Sequence, residues 1–285
     1  MRDARELADA LAQQGYLADD PLATAAWLSL EMGRPLFCEG VPGVGKTALA
    51  AGMAAVLGGP LFRLQCYDGI EASQALYEWD FPRQLLHVRT HQDETDRGVL
   101  EASVWDEQYL LERPVLAALR ASTAQHRAVL LVDEVDRADD EFDALLLEVL
   151  SEWAISIPEL GRVAAEVPPF VVVTSNRTRD VHDALKRRCL YHYIDLPSRE
   201  RERAIVLQHV PEARDGMLDQ VLDAVARMRS MALVKPPGLA ETIDWVRALT
   251  LVGVEDLAEP LALLTLPAVA KQAEDLDLAR EALPA

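Results

Sequence analysis

Gly40-Val41-Pro42-Gly43-Val44-Gly45-Lys46-Thr47 is the stretch that decides the fold. It satisfies G-x-x-x-x-G-K-[ST], in which glycines let successive backbone amides turn inward around phosphate oxygens. The lysine then reaches the β and γ phosphates, and the final hydroxyl ligates Mg²⁺. Its flanks agree with that reading. Pro35 to Glu39 is a short apolar run entering the turn, and Lys46 to Leu57 is alanine-rich and helix-favouring until Gly58-Gly59-Pro60. Leu61 to Gln65 then reads as a strand. Strand, turn, helix, strand is the unit of a parallel α/β sheet, because parallel strands need a crossover helix. The helix opening at Lys46 adds its positive end to the same anion site. A chance glycine turn ahead of a helix would have neither the strand nor the terminal Lys-Thr.

Outward from this loop, three further apolar runs stand at Ala128 to Val132, Phe170 to Thr174 and Leu190 to Ile194. Their apolarity is continuous rather than alternating, which predicts strands buried on both faces. The first runs into Asp133-Glu134. Asp133 is expected at the carboxyl end of its strand as the magnesium-side acid, with Glu134 pointing elsewhere by strand alternation, where it polarises the attacking water. The second run ends in Ser175-Asn176, whose amide is expected to bond that water or the γ-phosphate. Ala184-Leu185-Lys186-Arg187-Arg188-Cys189 places a basic cluster before the last strand. A guanidinium there stabilises the charge spreading over phosphoryl oxygens, and one supplied by a neighbouring subunit is worth ~10³-10⁵ in rate. Each element has a plainer reading: acids that end a strand, an asparagine that forms a turn, bases that solvate a helix end. Their occurrence together after a phosphate loop favours the chemical one.

Phe142, Leu145, Leu146, Val149, Leu150 and Trp153 mark one stripe of a helix, capped by Asp139 or Asp140. Two helices, Arg5 to Gln14 and Leu22 to Met32, precede the loop, with Gly15 and Gly33 as stops. Trp79 to Glu112 is more polar and reads as an insertion over one sheet edge. After Pro197 strand signals vanish. Ser198 caps Arg199 to His209, another helix lies around Met217 to Met228, and a third covers Ala240 to Leu249. The expected architecture is therefore α/β: a parallel five-stranded sheet flanked by helices over residues 1–197, then a small all-helical domain over 198–285.

The 285 residues are 50% hydrophobic and 26% charged, the proportions of a globular protein. Lys and Arg number 28 against 47 Asp and Glu, a net charge of -19 that repels phosphate backbones and anionic membranes, so nucleic acid is not an expected partner. Cys38, Cys66 and Cys189 are spread singly, which indicates neither a disulfide framework nor a zinc module. The first residues are charged and no apolar run approaches the ~20 needed to span a bilayer. These features predict a cytoplasmic protein without membrane insertion.

Taken in order, these elements resemble the AAA+ ATPases. The segments Leu64-Gln65-Cys66-Tyr67-Asp68-Gly69, Ala75-Leu76-Tyr77-Glu78-Trp79, Asp133-Glu134-Val135-Asp136-Arg137-Ala138-Asp139 and Asp183 to Tyr191 are similar to the MoxR family, most closely its CoxD-like branch, implicated in maturing molybdenum-containing carbon monoxide dehydrogenase. The resemblance runs from about Tyr16 to Gly238. It implies a chaperone that binds and hydrolyses ATP with Mg²⁺ as a homo-oligomeric ring, expected to be a hexamer. It also implies a von Willebrand A domain partner and a client metalloenzyme. It implies a Walker A loop of Gly40, Val41, Pro42, Gly43, Val44, Gly45, Lys46 and Thr47, and a Walker B acid pair in Asp133 and Glu134, Thr47 and Asp133 serving the metal. Asn176 matches sensor 1 and Arg188 the arginine finger, with Arg187 auxiliary, and Tyr16 and Leu17 fall near the adenine. At the sensor-2 position, within Lys235-Pro236-Pro237-Gly238-Leu239-Ala240, the sequence departs from the common pattern by offering leucine. Other readings of the same residues are a nucleic-acid motor or clamp-loader-like ATPase, and a nucleotide-gated binding module.

Overall fold

The computed structural model describes residues 1–91 and 103–283. Two helices open the chain, α1 (Ala4–Gln13) and α2 (Asp20–Met32). Asp3 and Asp19 cap them by accepting from Glu6 N and Leu22 N, and α2 stops at Gly33 in the left-handed region. There follow β1 (Leu36–Glu39), α3 (Lys46–Leu57), β2 (Leu61–Gln65), α4 (Ala72–Ala75), β3 (Tyr77–Trp79), α5 (Phe81–Thr90), β4 (Leu110–Glu112) and α6 (Pro114–Ala121). After these come β5 (Val129–Asp133), α7 (Asp140–Glu152), β6 (Ala154–Ile157), β7 (Gly161–Ala164), β8 (Phe170–Ser175), α8 (Asp183–Arg188) and β9 (Leu190–Tyr193).

Five strands form one wholly parallel sheet in the order β2-β5-β8-β1-β9. Every residue of β1, β5 and β8 is buried, as their unbroken apolar runs require of strands covered on both faces. Their side chains join those of α6 and α7 in a core that includes Phe37, Leu116, Leu130, Val132, Phe142, Leu146, Val171 and Val173. Asp139 is the cap of α7, its carboxylate accepting from Phe142 N at 2.8 Å.

The described residues of the expected insertion take regular structure. Its two ends pair as an antiparallel ribbon, Tyr77 opposite Glu112 and Trp79 opposite Leu110, with α5 between them. Residues 92–102 of this stretch lie outside the described residues. A second ribbon, β6 with β7, was not foreseen. Ile155 and Ile157 alternate with Ser156, a run too short to outweigh the helix before it.

Helices α9 (Arg199–His209), α10 (Asp215–Ser230), α11 (Leu239–Val252), α12 (Pro260–Leu263) and α13 (Ala273–Glu281) follow, and no strand occurs among described residues beyond Tyr193. They build a separate core around Met217, Val221, Trp245, Val246 and Leu249. Glu202 and Arg229 lie in this core as a two-pronged ion pair, both N–O distances 2.8 Å, which Thr242 Oγ1 completes by donating to Glu202 at 2.8 Å. The chain divides into two compact units. Residues 1–14, 18–39 and 47–193 form one, and residues 15–17, 40–46 and 194–285 the other. No helix of the described residues is long and apolar enough to cross a membrane.

Candidate active site

The phosphate loop follows directly from β1. Gly43 and Gly45 have φ of 80° and 93°, the left-handed region that residues with a Cβ rarely adopt. At Gly40 the constraint is space, since a Cβ there would stand 2.4 Å from the Ile194 carbonyl oxygen. Lys46 is buried, and its ammonium donates to the carbonyls of Gly40 at 2.6 Å and Val41 at 2.9 Å, so its charge is held against the loop. Ala240 N donates to the Gly43 carbonyl at 3.1 Å, and Glu241 accepts from Gly238 N at 3.0 Å, fastening the start of α11 beside the loop. Tyr16 lies close by, its ring 3.7 Å from where a Gly45 Cβ would be, while the Leu17 carbonyl accepts from Arg201 at 2.7 Å.

Thr47, the next residue along α3, donates from Oγ1 toward both oxygens of Asp133 at 3.2 and 3.3 Å. Asp133 ends β5 as expected and is almost wholly buried. Thr174 Oγ1 donates to its Oδ1 at 2.6 Å. Arg63 on β2 donates to its Oδ2 twice, from Nη2 at 2.6 Å and Nε at 3.1 Å.

Glu134 departs from the expected strand alternation. β5 stops at Asp133, and Glu134 turns into the left-handed region at φ 55°, where its amide donates to Thr174 Oγ1 at 2.9 Å. The turn aims the carboxylate at three donors. Asn176 Nδ2 reaches Oε1 at 3.2 Å, while Gln65 Nε2 and Arg137 Nη1 each reach Oε2 at 3.1 Å. Asn176, expected to face water or the γ-phosphate, is thus placed on Glu134. Its backbone is fixed by Asp136, which accepts from Asn176 N at 3.2 Å and from the Thr178 amide and hydroxyl at 2.7 Å each. Burial pushes the Asp136 carboxyl up, but the bonds from Thr178 and Asn176 outweigh it and hold the group below the usual carboxylate range.

Arg187 and Arg188 end α8 with exposed side chains and, with Leu147, His182, Asp183 and Ala184, line an open cleft of about 410 Å³. The carbonyls of this stretch are held by Arg34. Its Nη2 donates to Arg187 O at 2.6 Å and Cys189 O at 3.3 Å, and its Nε to Arg188 O at 3.0 Å. The sensor-2 stretch keeps its leucine character. Leu239 is buried at the start of α11, and Lys235 Nζ stands 3.9 Å from Glu241.

Arg63, Gln65, Thr174, Asp136 and Arg34 were not singled out from the sequence. A signal existed for the first two. A charged and a polar side chain two residues apart on a strand share one face, and Gln65 stands opposite Asp133 in the register.

Within each unit the residues suit one part of a metal-bound nucleotide. The loop offers left-handed glycines and a buried ammonium, and Thr47 and Asp133 already share hydrogen bonds of the kind that an oxygen-liganded Mg²⁺ shell replaces. Among the described residues no group of three or more His, Cys, Asp and Glu side chains could hold a metal by itself.

Residues 35–189 match the domain model described as the AAA domain (dynein-related subfamily), more than half of the chain. The chain belongs to this family and is an ATPase. A curated relative, the uncharacterized protein SH1500 of Staphylococcus haemolyticus, is 21% identical over 238 residues, 81% of each chain. Among solved structures, the RuvB Holliday junction branch migration motor of Thermotoga maritima is similar at 15% identity, over 90% of this chain and 68% of that one, with a TM-score of 0.46. A Cytophaga hutchinsonii protein named only provisionally as an ATPase is similar at 14% identity, over 98% and 85% of the two chains, with a TM-score of 0.48.

Proposed function

We propose that this ATPase is the motor subunit of a homo-oligomeric ring, a hexamer, that remodels a client protein in the cytoplasm. Its client is a metalloenzyme of the molybdenum hydroxylase type, presented by a von Willebrand A domain partner. ATP is held by the amides of Gly40 to Gly45 and by Lys46. Mg²⁺, carried in with the nucleotide on Thr47 and Asp133, supplies charge neutralisation for the β and γ phosphates. Glu134 takes up the proton of the attacking water, Asn176 keeps that carboxylate oriented, and Arg188 with Arg187 reaches a neighbour's phosphates as charge develops. The client and partner rest on the MoxR resemblance of the Gln65-Cys66-Tyr67 and Leu76-Tyr77-Glu78-Trp79 segments.

The observation that carries the catalytic part is the placement of Asn176 Nδ2 3.2 Å from Glu134, beside the acid that Thr47 contacts. Glu134→Gln should keep ATP affinity within a few-fold while phosphate release falls by 10²-fold or more, the general-base range. Unchanged turnover would remove Glu134 from the role. The same variant, held with ATP, is the bait for the client. A von Willebrand A protein and a molybdenum enzyme in the captured complex support the remodelling role, whereas salt-sensitive stimulation by DNA would replace it with a nucleic-acid motor.

A further inference from the structure

Asp133 carries its charge almost wholly out of water, its side chain 5% exposed, and a carboxylate so placed requires compensation. Neutral hydroxyls take part of it, Thr174 at 2.6 Å and Thr47 at the longer 3.2 and 3.3 Å. The positive charge comes from Arg63, whose guanidinium presents two N–H groups to the single oxygen Oδ2. We propose that Arg63 is the resident counter-cation of Asp133 and competes with Mg²⁺ for it, so that its release sets the magnesium requirement of nucleotide loading. The proposal rests on the reading of Asp133 as the magnesium-side acid.

The geometry favours a cation that leaves over one built in for good. Arg63 is 54% exposed, so its guanidinium can exchange the carboxylate for water without disturbing the core. It stands on β2, the end strand of the sheet order, and among the described residues its other side-chain hydrogen bond is to Gln65, whose Oε1 accepts from Nη2 at 2.6 Å. A hydrated divalent ion bound against Asp133 would need the same outer oxygen and would repel the guanidinium beside it. Two cations at one carboxylate oxygen repel each other, and that repulsion is negative coupling: the bound guanidinium weakens the metal by the same factor by which the metal weakens the guanidinium.

The full-length protein tests this with a fluorescent ATP analogue at fixed concentration, titrated with Mg²⁺. The free analogue's own affinity for the ion is common to every variant. Arg63→Met should lower the magnesium midpoint for binding by roughly three- to tenfold, the range of a charge-assisted pair with one half-exposed partner. It should also give a larger rise in melting temperature on adding magnesium and nucleotide, because the unliganded variant leaves Asp133 uncompensated. Arg63→Lys, which keeps the charge but loses the two-donor fork, should shift the midpoint the same way by a smaller factor, and it serves if the methionine variant folds poorly. A midpoint that stays put or rises in both variants overturns the proposal and leaves the nucleotide site standing; a rise would make Arg63 a phosphate ligand. A parent protein that takes no nucleotide at any magnesium concentration overturns the site reading and this proposal together.

Discussion

Asp136 fixes the loop that carries Asn176. It accepts three hydrogen bonds from the Asn176–Thr178 loop, and those bonds depress its carboxyl against the upward push of burial. Its stabilising contribution is therefore complete above the unfolded carboxylate value of about 4 and is lost as pH falls through the lower folded one. Asp136→Asn should cost about 1–3 kcal/mol in urea unfolding at pH 7, and the gap to the parent should close below about pH 4. The thiols titrate in the opposite sense. Burial, reinforced for Cys66 by the carboxylates of Asp143, Asp133, Asp136 and Glu134, pushes Cys66 up to about 12, and burial alone does the same for Cys189. With Cys38 also buried, iodoacetamide at pH 8 should label none of the three until the chain is denatured. At this scale the sequence showed which residues end strands, because an apolar run followed by Asp-Glu or Ser-Asn is a local pattern. It hid Arg63 and Arg34, whose partners lie 70 and about 154 positions away.

Elements were legible in proportion to how much of their burial is written in consecutive residues. Helix α3 and strand β2 fall at the bounds read from alanine richness and the Gly58-Gly59-Pro60 break, and all five strands of the parallel sheet stand where the sequence showed a strand-like run, unbroken in apolarity and burial at β5 and β8. The ribbons β3–β4 and β6–β7 were not, since three or four residues whose pairing depends on a distant partner leave no period to read. Helix α8 is a case where an element depends on one remote side chain. With six residues it has little intrinsic stability, and Arg34 caps its last carbonyls from outside the helix. Arg34→Met should loosen this end, measured as faster amide exchange at Cys189 and Leu190. If Arg188 works in trans, kcat should drop several-fold with nucleotide affinity unchanged. Slower turnover together with weaker nucleotide binding would instead mean that Arg34 supports its own subunit's loop.

The molecule has two cores with no shared residue, one built on the parallel sheet and one on α9 to α13. Trp245 is the only one of the five tryptophans in the helical unit, where its Nε1 donates to Thr265 at 2.8 Å, so it reports that core alone. Arg229→Met leaves the buried Glu202 carboxylate unpaired and should destabilise the helical core by about 3–5 kcal/mol. Followed by Trp245 emission in a background where Trp27, Trp79, Trp105 and Trp153 are phenylalanine, its urea midpoint should fall well ahead of the far-ultraviolet signal of the sheet. Coincident transitions would show one cooperative whole. The grouping of residues 40–46 with the C-terminal helices also has a practical side. A fragment cut after Tyr193 retains all of residues 35–189, the stretch the family model matches, yet it discards the Ile194 carbonyl against which Gly40 is fitted and the Ala240 amide that latches Gly43. Such a fragment would pass inspection by alignment, yet it should hold nucleotide more weakly than the full chain, because the loop backbone loses two of its supports.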